Sequence, residues 1–209
     1  MALMISRLKS VFPDNWEYVF DVYKEFLSTI GLRDTNEPLI LMLLEIGVEF
    51  GERLSRLHLN GFVEIGCGLA IPSLTLAKLG LAGVKAIDID PKAIACVEDL
   101  KNYIGCELEV QCRDILENRP KLQRDELLIA EKPASYKKSI LEVEYNIRNW
   151  CAIEGHNLAI IPSFLDTDTL TSYSERCEKY GKKFKQVGFK VENRQICEQL
   201  PFRWLIAIK

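Results

Sequence analysis

The chain lacks long apolar runs. The longest, Leu39 to Leu44, falls far short of the roughly 20 residues a membrane-spanning helix needs. The opening residues, MALMISRLKSVF, contain no apolar stretch of signal-peptide length, so a cytoplasmic location is expected. Paired cysteine motifs are also missing. Cys67, Cys96, Cys106, Cys112, Cys151, Cys177 and Cys197 make an odd count with no Cys-x-x-Cys, which reads as reduced thiols packed as small hydrophobes. Zinc-ligand spacing is absent, and no metal is expected. Charge of one sign is scarce: 27 basic residues face 30 acidic ones. That balance does not favour nucleic acid as a partner. Two modest basic runs remain, Lys137-Lys138 and the group Arg176, Lys179, Lys182, Lys183 and Lys185. Each reads first as a solvated face. Internal repeats and low-complexity tracts are absent.

What is present is enough apolar material for one full core: 209 residues, 48% hydrophobic. Trp16, Val19, Phe20, Val22, Tyr23, Phe26 and Leu27 recur at helical spacing. A second helix is expected from about Glu37 to Leu57, with Asp34, Thr35 or Asn36 as N-cap and Pro38 in its first turn. The period then changes. Gly61 to Ile65 is a short apolar run ending at glycines, the pattern of a buried parallel strand. Further strands are expected at 84–89, 107–111, 126–130 and 157–161, alternating with helices at 71–79, 91–103, 136–151 and 170–180. Segments 190–197 and 202–208 leave no room for a helix between them and should form an antiparallel hairpin. The expectation is an α/β fold, doubly wound, with a mostly parallel seven-stranded sheet, an antiparallel terminal hairpin strand, and helices on both faces. Residues 1–60 would be a helical region on the cap or substrate side, and 61–209 the main domain.

The sharpest local feature is Glu64-Ile65-Gly66-Cys67-Gly68-Leu69-Ala70-Ile71-Pro72, between a strand and a helix. Glycines there allow a tight turn and close approach of a ligand. Asp88, closing the next strand, is a carboxylate suited to two ribose hydroxyls. Asp90 precedes Pro91 and reads as a helix N-cap. A dinucleotide fingerprint needs glycine at position 71, where the chain has Ile71, and no phosphate-binding loop with Gly-Lys-Ser or Gly-Lys-Thr follows.

Together these residues resemble the class I, Rossmann-like S-adenosylmethionine-dependent methyltransferases. Their first motif, an acid, one residue, then Gly-x-Gly-x-Gly, matches Glu64, Gly66 and Gly68, with Ala70 in the third glycine's place. The second and third motifs look like Asp88 and Asp114. The resemblance covers about Gly61 to Lys209, terminal hairpin included. It implies S-adenosylmethionine as cofactor and methyl transfer to an acceptor: a small molecule, protein or RNA. By resemblance Glu64 would hold the methionine amino group, with Gly66, Cys67 and Gly68 facing the methionine portion. Asp114 would accept from the adenine amino group, between Ile89 and Ile115. Asp114 also reads as a turn residue.

The acceptor side is less legible. After the fourth strand the chain reads Ala130-Glu131-Lys132-Pro133-Ala134-Ser135-Tyr136, unlike the Asn/Asp-Pro-Pro-aromatic turn of many amino methyltransferases. Glu131 falls at the carboxyl end of a strand, where it would be a general base, an acceptor-orienting group, or a solvated loop acid. Tyr136 would pack over the acceptor or simply start a helix. His58 and His156 read first as surface residues and otherwise as a base; Arg33 or Thr35 would contact the cofactor carboxylate, though Asp34 and Thr35 read first as caps. Two other classes compete. A non-catalytic module with this fold would explain Ala70 and the unusual turn. A nicotinamide dehydrogenase would use Asp88, but Ile71, the helical preface and the hairpin oppose it. A monomer or homodimer is expected.

Overall fold

The computed structural model describes residues 6–29, 36–131, 140–162, 170–195 and 203–209. In chain order the elements are α1 (Ser6–Val11), α2 (Trp16–Thr29), α3 (Glu37–Leu54), β1 (Gly61–Ile65), α4 (Ile71–Lys78), β2 (Val84–Asp88) and α5 (Pro91–Ile104). They continue with β3 (Glu109–Cys112), β4 (Glu126–Glu131), α6 (Ile140–Glu154), β5 (Asn157–Ile161), α7 (Leu170–Gln186), β6 (Lys190–Gln195) and β7 (Arg203–Ile208). The strands form one seven-stranded sheet in the order β3-β2-β1-β4-β5-β7-β6. The pairs β2–β3, β1–β4 and β4–β5 are parallel, and β7 runs antiparallel to both β5 and β6. This is the expected α/β sheet with its terminal hairpin.

The chain divides into two compact units. The first comprises Met1–His58 and Cys67–Asn118. Within it α1 and α2 pack on α3, α3 packs on α4, and α4 and α5 pack on β2. The helix starts follow the residues expected to cap them. Asn36 accepts from Leu39 N at 3.0 Å, and Asp90 from Lys92 N at 2.9 Å, each ahead of a proline in the first turn. Of the three N-cap candidates before α3, Asn36 therefore does the work. At the far end of α5, Gly105 takes the left-handed conformation that ends a helix. Gly51 of α3 is a contact residue. A Cβ there would stand 2.7 Å from Thr75 Cβ and 2.9 Å from the Pro72 carbonyl oxygen, so only glycine lets α3 and α4 approach this closely. From α3, Glu45 accepts from the Leu8 and Arg7 backbone N–H groups, at 2.9 and 3.3 Å, satisfying the start of α1. Burial pushes its carboxyl above the ordinary value.

The second unit comprises Leu59–Gly66 and Arg119–Lys209. Every residue of β1 and β5 is buried, as an interior parallel strand requires. Besides Glu64 of β1, the polar exception is Asn157. Its amide donates to the Arg124 and Glu126 carbonyls, and its carbonyl accepts from Lys209 N at 2.9 Å, tying β4, β5 and the end of β7 together. α6 packs on β5, and α7 on β6 and β7. α7 runs to Gln186, beyond the expected stop near residue 180. Its buried stripe of Tyr173, Cys177, Tyr180 and Phe184 continues at helical spacing, which keeps the last turns on the sheet.

Candidate active site

The strand order reverses at β1, whose neighbours in the sheet are β2 and β4. Ligands of open α/β sheets bind beyond the carboxyl ends of strands at such a switch point. Glu64 pairs in register with Ile129, so Glu131, two residues further along β4, also lies at this end. Glu64 is fully buried and Glu131 half-buried.

The turn after β1 is built from alternating left-handed residues. Gly66, Gly68 and Ala70 have φ of 59°, 50° and 52°. Ala70 is the one non-glycine residue with positive φ among the described residues. It ends the turn, and the carbonyls of Cys67 and Ala70 accept from Ala70 N and Leu74 N, at 2.7 and 2.8 Å. At the position of the resembled motif's third glycine, alanine itself takes a left-handed conformation. Nothing in the local sequence reveals this, because it is the α4 start that imposes the angle.

Asp88 closes the turn from the next strand. One carboxylate oxygen accepts from Gly68 N at 2.8 Å and the other from Asp90 N at 2.9 Å. A carboxylate has about four acceptor positions, so these two bonds leave room for ribose hydroxyls. The Cys67 N–H donates to the Ile87 carbonyl at 3.2 Å, and the Arg113 N–H to the Asp88 carbonyl at 2.8 Å. The second of these carries the β2–β3 ladder past Cys112 and brings Asp114 to the same end of the sheet as Asp88. Asp114 Oδ1 accepts from Leu116 N at 2.8 Å, so it does serve as a turn residue. Ile89 is 38% exposed, unusual for a large apolar side chain beside a strand end, and Ile115 is half-buried. Cys67 is buried, its thiol 3.6 Å from the Gly68 carbonyl.

The sequence marks Phe26 as part of an apolar helix face, not as a site residue. Its Cε1 stands 4.0 Å from where a Cβ on Gly68 would lie, placing α2 over the glycine turn. The helical spacing of the preface puts Phe26 on an apolar face, but no local signal says which loop that face covers. His58 is exposed, whereas the His156 side chain is only 15% exposed, packs against Trp150 and contacts the Glu154 carboxylate at 3.1 Å. Tyr136, Arg33 and Thr35 lie outside the described residues.

No family model matches the chain. The structure, however, superposes on magnesium protoporphyrin IX methyltransferase from Synechocystis, solved with S-adenosylhomocysteine, with a TM-score of 0.59. That match covers 96% of this chain and 99% of the other at 14% identity. A ribosomal protein L11 methylase from Lactobacillus delbrueckii subsp. bulgaricus gives a TM-score of 0.55 over 79% and 77% of the two chains, also at 14% identity. At 14% identity these likenesses show the fold alone, an α/β sheet like those of the two methyltransferases. A sequence relative points the same way over a shorter stretch. A ribosomal protein L11 methyltransferase of Methylococcus capsulatus is 38% identical over 86 residues, 34% of this chain. That stretch is 29% of the relative's own length, so the chain spans under a third of this curated protein. No helix among the described residues is long and apolar enough to cross a membrane.

Proposed function

We propose that this chain is an S-adenosylmethionine-dependent methyltransferase. The observation that carries the reading is the Gly66–Ala70 turn in its ligand-ready shape, buckled to Asp88 through the Gly68 N–H. Among the described residues, apart from chain neighbours, the Phe26 ring edge alone comes within 4 Å of a Cβ built on Gly68. In this reading the ribose hydroxyls take the remaining acceptor positions of Asp88. Ile89 and Ile115 cover the adenine faces, and Asp114 receives its amino group. Glu64, with the backbone of Gly66, Cys67 and Gly68, serves the methionine end. Exposed Ile89 supports this, because an apolar side chain beside a polar turn is accounted for by a flat ring laid against it.

Bound S-adenosylmethionine supplies a methyl group already activated on a sulfonium. The protein's task is then to orient the acceptor for in-line attack, which needs little acid–base machinery. In this reading Glu131, at the carboxyl end of β4, orients the acceptor or takes its proton. Tyr136 remains the proposed packing residue on the acceptor side. Ala70 weakens the case for a non-catalytic module, since it takes a left-handed conformation that a glycine there would take freely.

The acceptor proposed for first trial is a protein, ribosomal protein L11, because sequence relatives carry that name. Calorimetry with S-adenosylhomocysteine tests the cofactor reading, and binding with one site per chain is expected. Absence of heat at millimolar ligand in a folded sample overturns it. Mass spectrometry of ribosomal protein L11 incubated with protein and S-adenosylmethionine tests the acceptor. A gain of one or more methyl masses is expected, and an unchanged mass sends the search to small molecules and RNA.

A further inference from the structure

α2 carries an aromatic side chain to the glycine turn, yet its own attachment is light. Of its fourteen residues Val19 and Leu27 alone are buried. Its ion pair to the start of α3, Lys24 to Glu37 at 3.0 Å, is exposed at both ends and adds little. Along α5 it is fixed by an aromatic stack. The Tyr18 and Tyr103 rings lie 4.0 Å apart between centroids, inclined at 26°. Beside them Asn15 Nδ2 donates to the Tyr103 carbonyl in a long bond of 3.5 Å.

From this stack the two helices run in opposite directions. Glu25 lies seven positions after Tyr18, and Cys96 seven before Tyr103. Burial first, and then the carboxylates of Asp99, Glu25 and Asp90, push the Cys96 thiol above its ordinary value, so Glu25 stands near the first turns of α5. Phe26 comes next and reaches the glycine turn, with Cε1 4.0 Å from the Cβ position of Gly68. Gly68 is also where Asp88 takes hold, accepting from its N–H at 2.8 Å. Phe26 and Asp88 thus meet at one residue, and all of these groups lie in one compact unit. The Phe26 ring is half-buried, so it has apolar surface left to give to a ligand. An element with few buried contacts opens locally at low cost. A side chain on it that touches a ligand sets how fast the ligand leaves, and a distant anchor of the element acts on the same rate.

We propose that Phe26 is a cofactor-contact residue that sets how long the S-adenosyl ligand stays bound, and that the Tyr18–Tyr103 stack positions it by holding α2 on α5. This rests on the proposed cofactor. A ligand held by Asp88 and the glycine turn lies against the ring and leaves when α2 lifts. Surface plasmon resonance on the full chain, with S-adenosylhomocysteine as the probe, measures both rates. Phe26→Ala should raise the off-rate about tenfold and change the on-rate far less. The stack lies eight residues from Phe26 along α2, about 12 Å, so Tyr103 acts only through the helix. Tyr103→Ala should still raise the off-rate at least about threefold, and Tyr103→Phe, which keeps the stack, should show the parental rate. Amides of α2 in the parent should exchange more slowly once ligand is added. Phe26→Leu answers for a Phe26→Ala variant that does not fold: it keeps an apolar side chain without the ring and should release ligand several-fold faster. A folded parent that binds no S-adenosylhomocysteine overturns the cofactor reading and this inference with it. A parent that binds, while the Phe26 variants or Tyr103→Ala release ligand at the parental rate, overturns this inference alone. So does α2 exchange that ligand leaves unchanged.

Discussion

Ala70 and Asp88 set the glycine turn, and each makes a measurable prediction. A left-handed alanine costs about 1–2 kcal/mol against glycine. Its buried methyl returns about 0.8 kcal/mol, and glycine's freer unfolded chain costs the variant a further ~0.4–1 kcal/mol. These effects nearly cancel, so Ala70→Gly should leave urea stability within about 1 kcal/mol of the parent. Ala70→Val places a β-branched side chain at positive φ in a fully buried position and should lose more than ~2 kcal/mol. Equal stability of the two variants would show that the left-handed angle is not maintained. Asp88→Asn should act on both folding and binding. One amide oxygen replaces two acceptors, leaving a backbone N–H of Gly68 or Asp90 facing an NH₂ group, at a cost of about 1–3 kcal/mol. Under the proposed function its Kd for S-adenosylhomocysteine should rise at least about tenfold. Calorimetry beside a melt separates the two effects. The acid was legible from its place at a strand end. Its grip on the glycine turn was not, because that bond joins residues twenty positions apart.

At the scale of elements, α3 carries the N-terminal helices. Gly51→Ala should cost about 1–3 kcal/mol by urea titration, because the added methyl meets the Pro72 carbonyl and the stiff, branched Thr75 side chain. Restoring space with Thr75→Ser in the same chain should recover part of the loss. Glu45 links α1 to α3 and adds a pH dependence. Its folded pKa lies above the ordinary 4.5, chiefly through burial, so the folded state binds this proton more tightly than the unfolded chain does. The stabilisation is complete below the unfolded value and fades as pH rises through the folded one. Glu45→Gln keeps an acceptor for Leu8 N and removes that slope. The variant's Tm relative to the parent should therefore climb between pH 4 and pH 7, and a flat difference would refute the assignment. Helix and strand existence was readable from periodicity and capping residues. Element ends were less so: α7 outruns its expected stop because packing on β6 and β7, not its polar local composition, decides where it ends.

At the scale of the whole molecule, ligand linkage gives one further test. S-adenosylhomocysteine at about 100 times its Kd should stabilise the folded chain by about 2.7 kcal/mol. For a chain of this size that is a Tm rise of roughly 5–11 °C. A melt unmoved by ligand would contradict the proposed cofactor. The sequence by itself determined the alternation of strands and helices, the terminal hairpin, and the acids that end β2 and β3. These are local facts, carried by residue periodicity and by caps that act within a few positions. Only the tertiary structure decided that Ala70 would be held left-handed, that Phe26 of α2 would stand over Gly68, and that Arg148 would be clamped between Tyr145 and Tyr180. Each of these depends on distant segments packing together, and the free energy that places them comes from burial across the fold rather than from neighbouring residues. The glycine turn belongs to both accounts: its position was written in the sequence, and its working shape was made by the strand and helices packed around it.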